Sequence, residues 1–244
     1  MRAKFWPFLL LLTPLVLSCK DPAPPLPRQP WIDQPPDQQP TILLTNQIRL
    51  GAMEFDAKAN AFLVDTGSDT LAATCKHLFL VFENPDIQAI DFADLLKSWT
   101  FHPRPDPDSS VRAARLLNAD PNEEINKRYI INRDWLLFSL VAPSPHLFPL
   151  KPRFGKLAKN KKVYLLGRGE DGLQQLIEGA IDETYDYTFT VNFGERDVGP
   201  FSGSPVIDTD GYLVGIHTGV LGNYSWVNST RYLQEVLENS AVVE

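Results

Sequence analysis

The chain has 244 residues, of which 43% are apolar, enough to pack one large domain or two small ones. Its formal charge is -7 and no basic stripe runs through it, which excludes nucleic acid as the expected partner. The 14 glycines and 21 prolines cut the apolar runs short, and short runs point to an all-β or β-rich fold.

The N-terminus opens with a short basic stretch, Met1 to Lys4, and an apolar run from Phe5 to Leu17 that is too short to span a membrane. It ends in Leu15-Val16-Leu17-Ser18-Cys19. This resembles a bacterial lipobox. The resemblance implies a lipoprotein signal peptide over 1–18, cleavage before Cys19, and acylation of Cys19. Such a protein is anchored by lipid in the bacterial cell envelope. Lys20 stands where an inner-membrane retention signal has Asp, which points to the outer membrane of a Gram-negative cell. Loss of 1–18 leaves 21 basic against 30 acidic residues, a charge of -9. With Cys19 so used, Cys75 has no partner and no intrachain disulfide is expected. Neither a CxxC nor a His/Cys cluster is present, so no structural metal site is expected. Residues 19–40 are rich in proline and read as a semi-extended linker.

The folded part is expected over 41–244. Thr41 to Leu50 and Ala61 to Thr66 read as strands. Gly67-Ser68-Asp69 is a turn, and Thr70 to Thr74 completes a hairpin. Cys75-Lys76-His77-Leu78 follows as a short helical turn. Ser98 to Phe101 reads as a strand, Val111 to Leu117 as a strand or helical turn, and the polar stretch 118–127 as a surface loop. Asp134 precedes an apolar strand, Trp135 to Leu140. Val141 to Pro149 reads as a connector, and Lys162–Gly167, Leu173–Ile181 and Tyr185–Phe193 as strands. Next comes Gly199-Pro200-Phe201-Ser202-Gly203-Ser204-Pro205, a serine among small residues opening a strand pair that includes Gly215-Ile216-His217-Thr218-Gly219. Asn223 to Val227 is a last strand, and Ser229 caps a helix with Tyr232, Leu233, Val236 and Leu237 on one face.

Three of these pieces resemble the chymotrypsin-like serine peptidases: Thr74-Cys75-Lys76-His77, Asp134 before its strand, and Ser202-Gly203-Ser204-Pro205. They stand in that family's order. The resemblance implies an all-β fold of two six-stranded antiparallel β-barrels, about 41–142 and 143–228, with a C-terminal α-helix over 229–240. It implies a serine endopeptidase without metal or cofactor, acting on peptide or protein. Ser202 is then the nucleophile, His77 its base and Asp134 the orienter of His77, through an acyl-enzyme. Ser202 and Gly203 belong to the oxyanion loop, and Asp197, His217 and Gly219 to the specificity pocket. Gly215-Ile216-His217 is similar to the bacterial glutamyl endopeptidases, which carry Thr where this chain has Asp197, and a carboxylate there repels an acidic substrate. The family takes one oxyanion donor from a Gly two residues before the serine; here Pro200 offers no N–H. A second reading is therefore a lipid-anchored, catalytically impaired trypsin-like module that binds peptides or a partner protein without cutting. A third is an aspartic peptidase built on Asp65-Thr66-Gly67, which needs a second chain to supply its partner aspartate.

Overall fold

The computed structural model describes residues 26–240, apart from 79, 81–88, 93–94, 125–131, 170–171 and 223. Cys19 and the expected signal peptide lie outside them. The described strands are β1 (Leu44–Leu50), β2 (Met53–Asp65), β3 (Thr70–Thr74), β4 (Ala89–Ile90), β5 (Leu96–His102), β6 (Val111–Leu116), β7 (Asp120–Glu124) and β8 (Leu136–Leu140). They continue with β9 (Lys162–Arg168), β10 (Gln174–Thr184), β11 (Thr188–Asn192), β12 (Pro205–Asp208), β13 (Leu213–Leu221) and β14 (Tyr224–Ser229), and the helix α1 is Thr230–Ser240.

Two closed barrels result, in the orders β1-β2-β3-β8-β6-β5 and β10-β11-β14-β13-β12-β9. Every ladder in them is antiparallel. The sequence explains the strands. β1 and β10 alternate buried and exposed positions along much of their length, the period of a half-buried strand. Phe62-Leu63-Val64, Leu71-Ala72-Ala73 and Leu136-Leu137-Phe138 are buried throughout. Trp99, Phe101 and Phe138 fill the first barrel, with the rings of Trp99 and Phe138 centred 4.7 Å apart. Trp99 still finds a partner for its indole N–H in Asn46 Oδ1 at 2.9 Å. This core runs on through Leu166, Ile207, Leu213 and Ile216 of the second barrel. Leu233 and Val236 of α1 join it, while the Ser229 hydroxyl accepts the Arg231 N–H at the helix start. The barrels thus share a packed seam, and the residues at its mouth are held from both sides.

Two expectations need correction. The stretch read as a surface loop at 118–127 carries β7, which pairs with β4 outside the barrels. Asn118 is buried because its amide stands in for a strand neighbour: Nδ2 donates to Trp135 O at 2.7 Å and Oδ1 accepts from Leu137 N at 3.0 Å. The proline-rich segment does not stand free over 26–40. It forms two 3-10 turns, Pro30–Asp33 and Pro36–Gln38, and buries Trp31 beside Phe148. Gln29 N–H donates to Asp210 O at 2.8 Å, and Tyr212 donates to Pro27 O at 2.7 Å. The prolines set φ for the turns, and Trp31 with Ile32 supplies the apolar area that docks them.

Candidate active site

β3 and β8 are neighbours, with Thr74 opposite Leu136. Three residues past Thr74 and two before Leu136 the chain reaches His77 and Asp134, so the ladder sets both at one end of the first barrel. A 3-10 turn, Lys76–Leu78, carries His77. Asp134 grips it twice: Oδ1 accepts the His77 backbone N–H at 2.8 Å, and Oδ2 lies 2.7 Å from Nδ1. The carboxylate only accepts, so Nδ1 is the protonated nitrogen and Nε2 is left for another partner. The Asp134 side chain is 0% exposed and that of His77 21%. Burial acts against charge on His77, but the neighbouring Cys75 and Asp134 side chains, by charge and hydrogen bond, outweigh it and raise the pKa of the ring.

Ser202 follows a 3-10 turn, Gly199–Phe201, and precedes β12. Barrel one holds this turn through Asn60. Its N–H donates to Ser202 O at 2.7 Å, and its carbonyl accepts from Thr74 Oγ1, also at 2.7 Å. Gly203 has φ +80, and a Cβ there would lie 2.2 Å from Asn60 O, so only glycine fits. The Ser202 hydroxyl donates to Thr218 O at 3.3 Å rather than to His77. Thr218 Oγ1 accepts from Asn228 Nδ2 at 2.6 Å, and Asn228 Oδ1 accepts the Asp134 N–H at 3.1 Å. The structure therefore brings His77, Asp134 and Ser202 to one mouth between the barrels. Asn60, Thr218 and Asn228, which connect them, carry no sequence signal of their own.

The family model for a trypsin-like peptidase domain matches residues 59–216, which include all three. The chain belongs to the trypsin-like peptidases. That family places it among the serine endopeptidases, which are hydrolases. Among solved structures it is similar to the active form of the Rv3671c protease of M. tuberculosis, with a TM-score of 0.53, 17% identity, and coverage of 97% of this chain and 93% of that one. The inactive form gives 0.51 at 16% identity, covering 88% and 98%. The serine endoprotease of Yersinia pestis gives 0.53 at 13% identity, covering 81% of this chain and 62% of that one. No curated protein matches the chain.

Within this trypsin-like domain the turn before Ser202 is unusual. Phe201 N–H donates to Val198 O at 3.1 Å, and Asp197 Oδ1 accepts the Gly199 N–H at 3.0 Å. Asp197 is exposed and serves its own loop. The Ser202 N–H itself makes no hydrogen bond in this turn. His217 lies beneath: its N–H donates to Ser204 O and its carbonyl accepts from Gly203 N, both at 2.9 Å. Neither ring nitrogen has a hydrogen-bond partner. Burial first, then the charge of His77, lowers its pKa to about 4 against weak support from the Phe201 backbone, so the ring is neutral at pH 7. Gly219 is half-buried on β13. Asp65 belongs to the β2–β3 turn, where Oδ1 accepts the Gly67 N–H at 2.8 Å. The aspartic peptidase reading falls, because Asp65 ends a barrel strand of a trypsin-like domain. Among the described residues no group of three or more His, Cys, Asp or Glu is placed to hold a metal ion.

Proposed function

We propose that this trypsin-like domain cleaves peptide bonds with Ser202 as nucleophile, His77 as general base and Asp134 as its orienting carboxylate. The observation that carries the reading is the double grip of buried Asp134 on His77, at 2.7 and 2.8 Å. In the neutral ring, which forms as pH rises through the raised pKa of His77, it fixes the tautomer that leaves Nε2 as the acceptor. Catalysis requires the Ser202 hydroxyl to leave Thr218 O and donate to Nε2. Nε2 accepts the hydroxyl proton as Oγ bonds to the substrate carbonyl carbon. The tetrahedral oxyanion then collapses, the C–N bond breaks, and His77 gives its proton to the leaving amine. Water repeats the sequence on the acyl ester and frees Ser202.

The Ser202 N–H is the backbone donor for the oxyanion. Pro200 adds no second donor. A rate lower by about a hundredfold than with two donors follows. The glutamyl subtype rests on Gly215-Ile216-His217 alone, and His217 is fully buried. Acylation of Cys19 would hold the domain on the envelope membrane, with only 19–25 left as spacer before the docked segment.

Digestion of a denatured protein by the wild type, followed by mass spectrometry of new N-termini, tests this reading. New termini that disappear with Ser202→Ala support it. Their absence from folded wild type favours the second reading, a peptide- or protein-binding module, whose motive is the N–H missing at Pro200.

A further inference from the structure

Arg168 ends β9 with an unused guanidinium edge. Its Nε and Nη2 are covered by protein and meet no hydrogen-bond partner. Burial, and then the charge of Arg104, lower its pKa to about 10. A buried charge without a counter-charge destabilises a fold, and among the described residues no group is hydrogen-bonded to this fork.

The sheet places this edge beside the nucleophile turn. β12 pairs with β9 on one side and β13 on the other, Val206 facing Leu165 and Gly215. Carried back along β12, these registers set Arg168 and Thr218 on opposite sides of Gly203. Gly167 faces the Phe201 ring, 3.1 Å from where its Cβ would lie, so the alternation of β9 turns the Arg168 side chain to the other face, that of Leu166, toward barrel one. Arg104 reaches the same side from barrel one. Its Nη2 donates to Ala57 O at 3.1 Å, three residues before the Asn60 that holds Ser202 O. A peptide crossing Ser202 therefore has one half along β13 and the other over Arg168 and Arg104. The chain leading into β12 stays bonded to β13 as far as His217, so the β13 edge beyond it is open to an extended acyl half. The leaving-group half then meets the arginines.

The geometry points to an anion-binding subsite in which Arg168, with Arg104 beside it, takes a carboxylate from the leaving-group half of the substrate. Nε and Nη2 form the side-on fork that matches two carboxylate oxygens. Arg28 grips Asp33 in this way in the same molecule, at 2.8 and 2.6 Å. Arg168 is half-buried as a residue, and since its fork makes no hydrogen bond, turning it outward breaks none. The carboxylate comes from an acidic side chain or from a free C-terminus. Only the direction of the peptide rests on the peptidase reading.

Binding to the Ser202→Ala protein tests the subsite apart from turnover. A labelled heptapeptide library is titrated by fluorescence anisotropy, with Glu or Gln at each position and an acid or amide C-terminus. At least tenfold tighter binding of the carboxylate forms is expected, falling to within twofold when Arg168→Gln is added. A Glu-over-Gln difference marks the side chain as the source, and an acid-over-amide difference marks the terminus. Arg168→Lys, which keeps the charge without the fork, should retain part of the preference, and thermal melting confirms that each variant is folded. Equal binding of both forms, no binding, or a preference that survives Arg168→Gln overturns the subsite. A wild type that fails to cleave leaves this result standing.

Discussion

Asn228 joins Asp134 to Thr218. It accepts the Asp134 N–H at 3.1 Å and donates to the Thr218 hydroxyl at 2.6 Å, and Thr218 O holds the Ser202 hydroxyl. One side chain of barrel two therefore sets the distance between the acid on barrel one and the serine. Asn228→Ala leaves a buried N–H without its partner, at a cost of about 1–3 kcal/mol in denaturant unfolding. Asn228→Asp should impair activity more, because it brings a carboxylate toward Asp134 and loses the donor to Thr218. Comparison of peptidase rates at matched folded fraction checks this. Equal rates for the two variants would leave Asn228 a packing residue.

Lys76, next to His77, has a side chain 0% exposed, and its Nζ lies 2.7 and 2.9 Å from the two Glu123 oxygens. Tyr232 of α1 covers it, with Nζ 5.3 Å from the ring centre. Burial lowers the Lys76 pKa and Glu123 opposes this. The pair ties β7 to the turn that carries His77. Glu123→Gln strands a buried ammonium and should cost about 3–5 kcal/mol. The double variant Lys76→Met/Glu123→Gln should regain most of it. Urea unfolding separates these outcomes, and a double variant as unstable as Glu123→Gln would show that the charge is not the cause.

In the proposed mechanism Pro200 withholds an oxyanion donor. Pro200→Gly restores an N–H two residues before Ser202. An increase in kcat of tenfold to about a hundredfold is expected, with little change in KM, because an oxyanion donor acts on the transition state. An unchanged kcat would mean that another group already serves the oxyanion.

Two histidines should mark the pH dependence of stability in separate windows. His217 has a lowered pKa of about 4, so its contribution is full above about 6.5 and is lost as pH falls toward 4. That shift is worth about 3 kcal/mol. His77 has a raised pKa, so its contribution is full below about 6.5 and is lost as pH rises through the folded value. Melting series on the wild type, His217→Leu and His77→Ala test this. His217→Leu should flatten the slope between pH 4 and 6.5, and His77→Ala the slope above it. Parallel curves for all three would contradict both assignments.

The barrels were legible because alternating and fully apolar runs report burial locally, as at Ile48, Leu50 and Phe62-Leu63-Val64. His77, Asp134 and Ser202 stand out as candidates in the sequence because each sits in a short run of residues with its own turn or strand. Asn60, Thr218 and Asn228 were not. Asn228 meets Asp134 across 94 residues of sequence, and a buried amide has no period. β7 was hidden because its polar residues pair with β4 outside the barrels, where no alternation is demanded. Trp31 was hidden by the prolines around it, which signal extension without showing what the segment docks on. Arg168 resembled an ordinary strand-end cation, and only the registers on β12 bring it beside Ser202.

The central claim is that His77, oriented by Asp134, activates Ser202. Labelling with a fluorophosphonate, followed by peptide mapping, measures this directly. A single adduct on Ser202 is expected in the wild type, with the rate falling at least a hundredfold in His77→Ala and sharply in Asp134→Asn. No adduct on folded wild type, or an adduct formed equally fast without His77, would contradict the account.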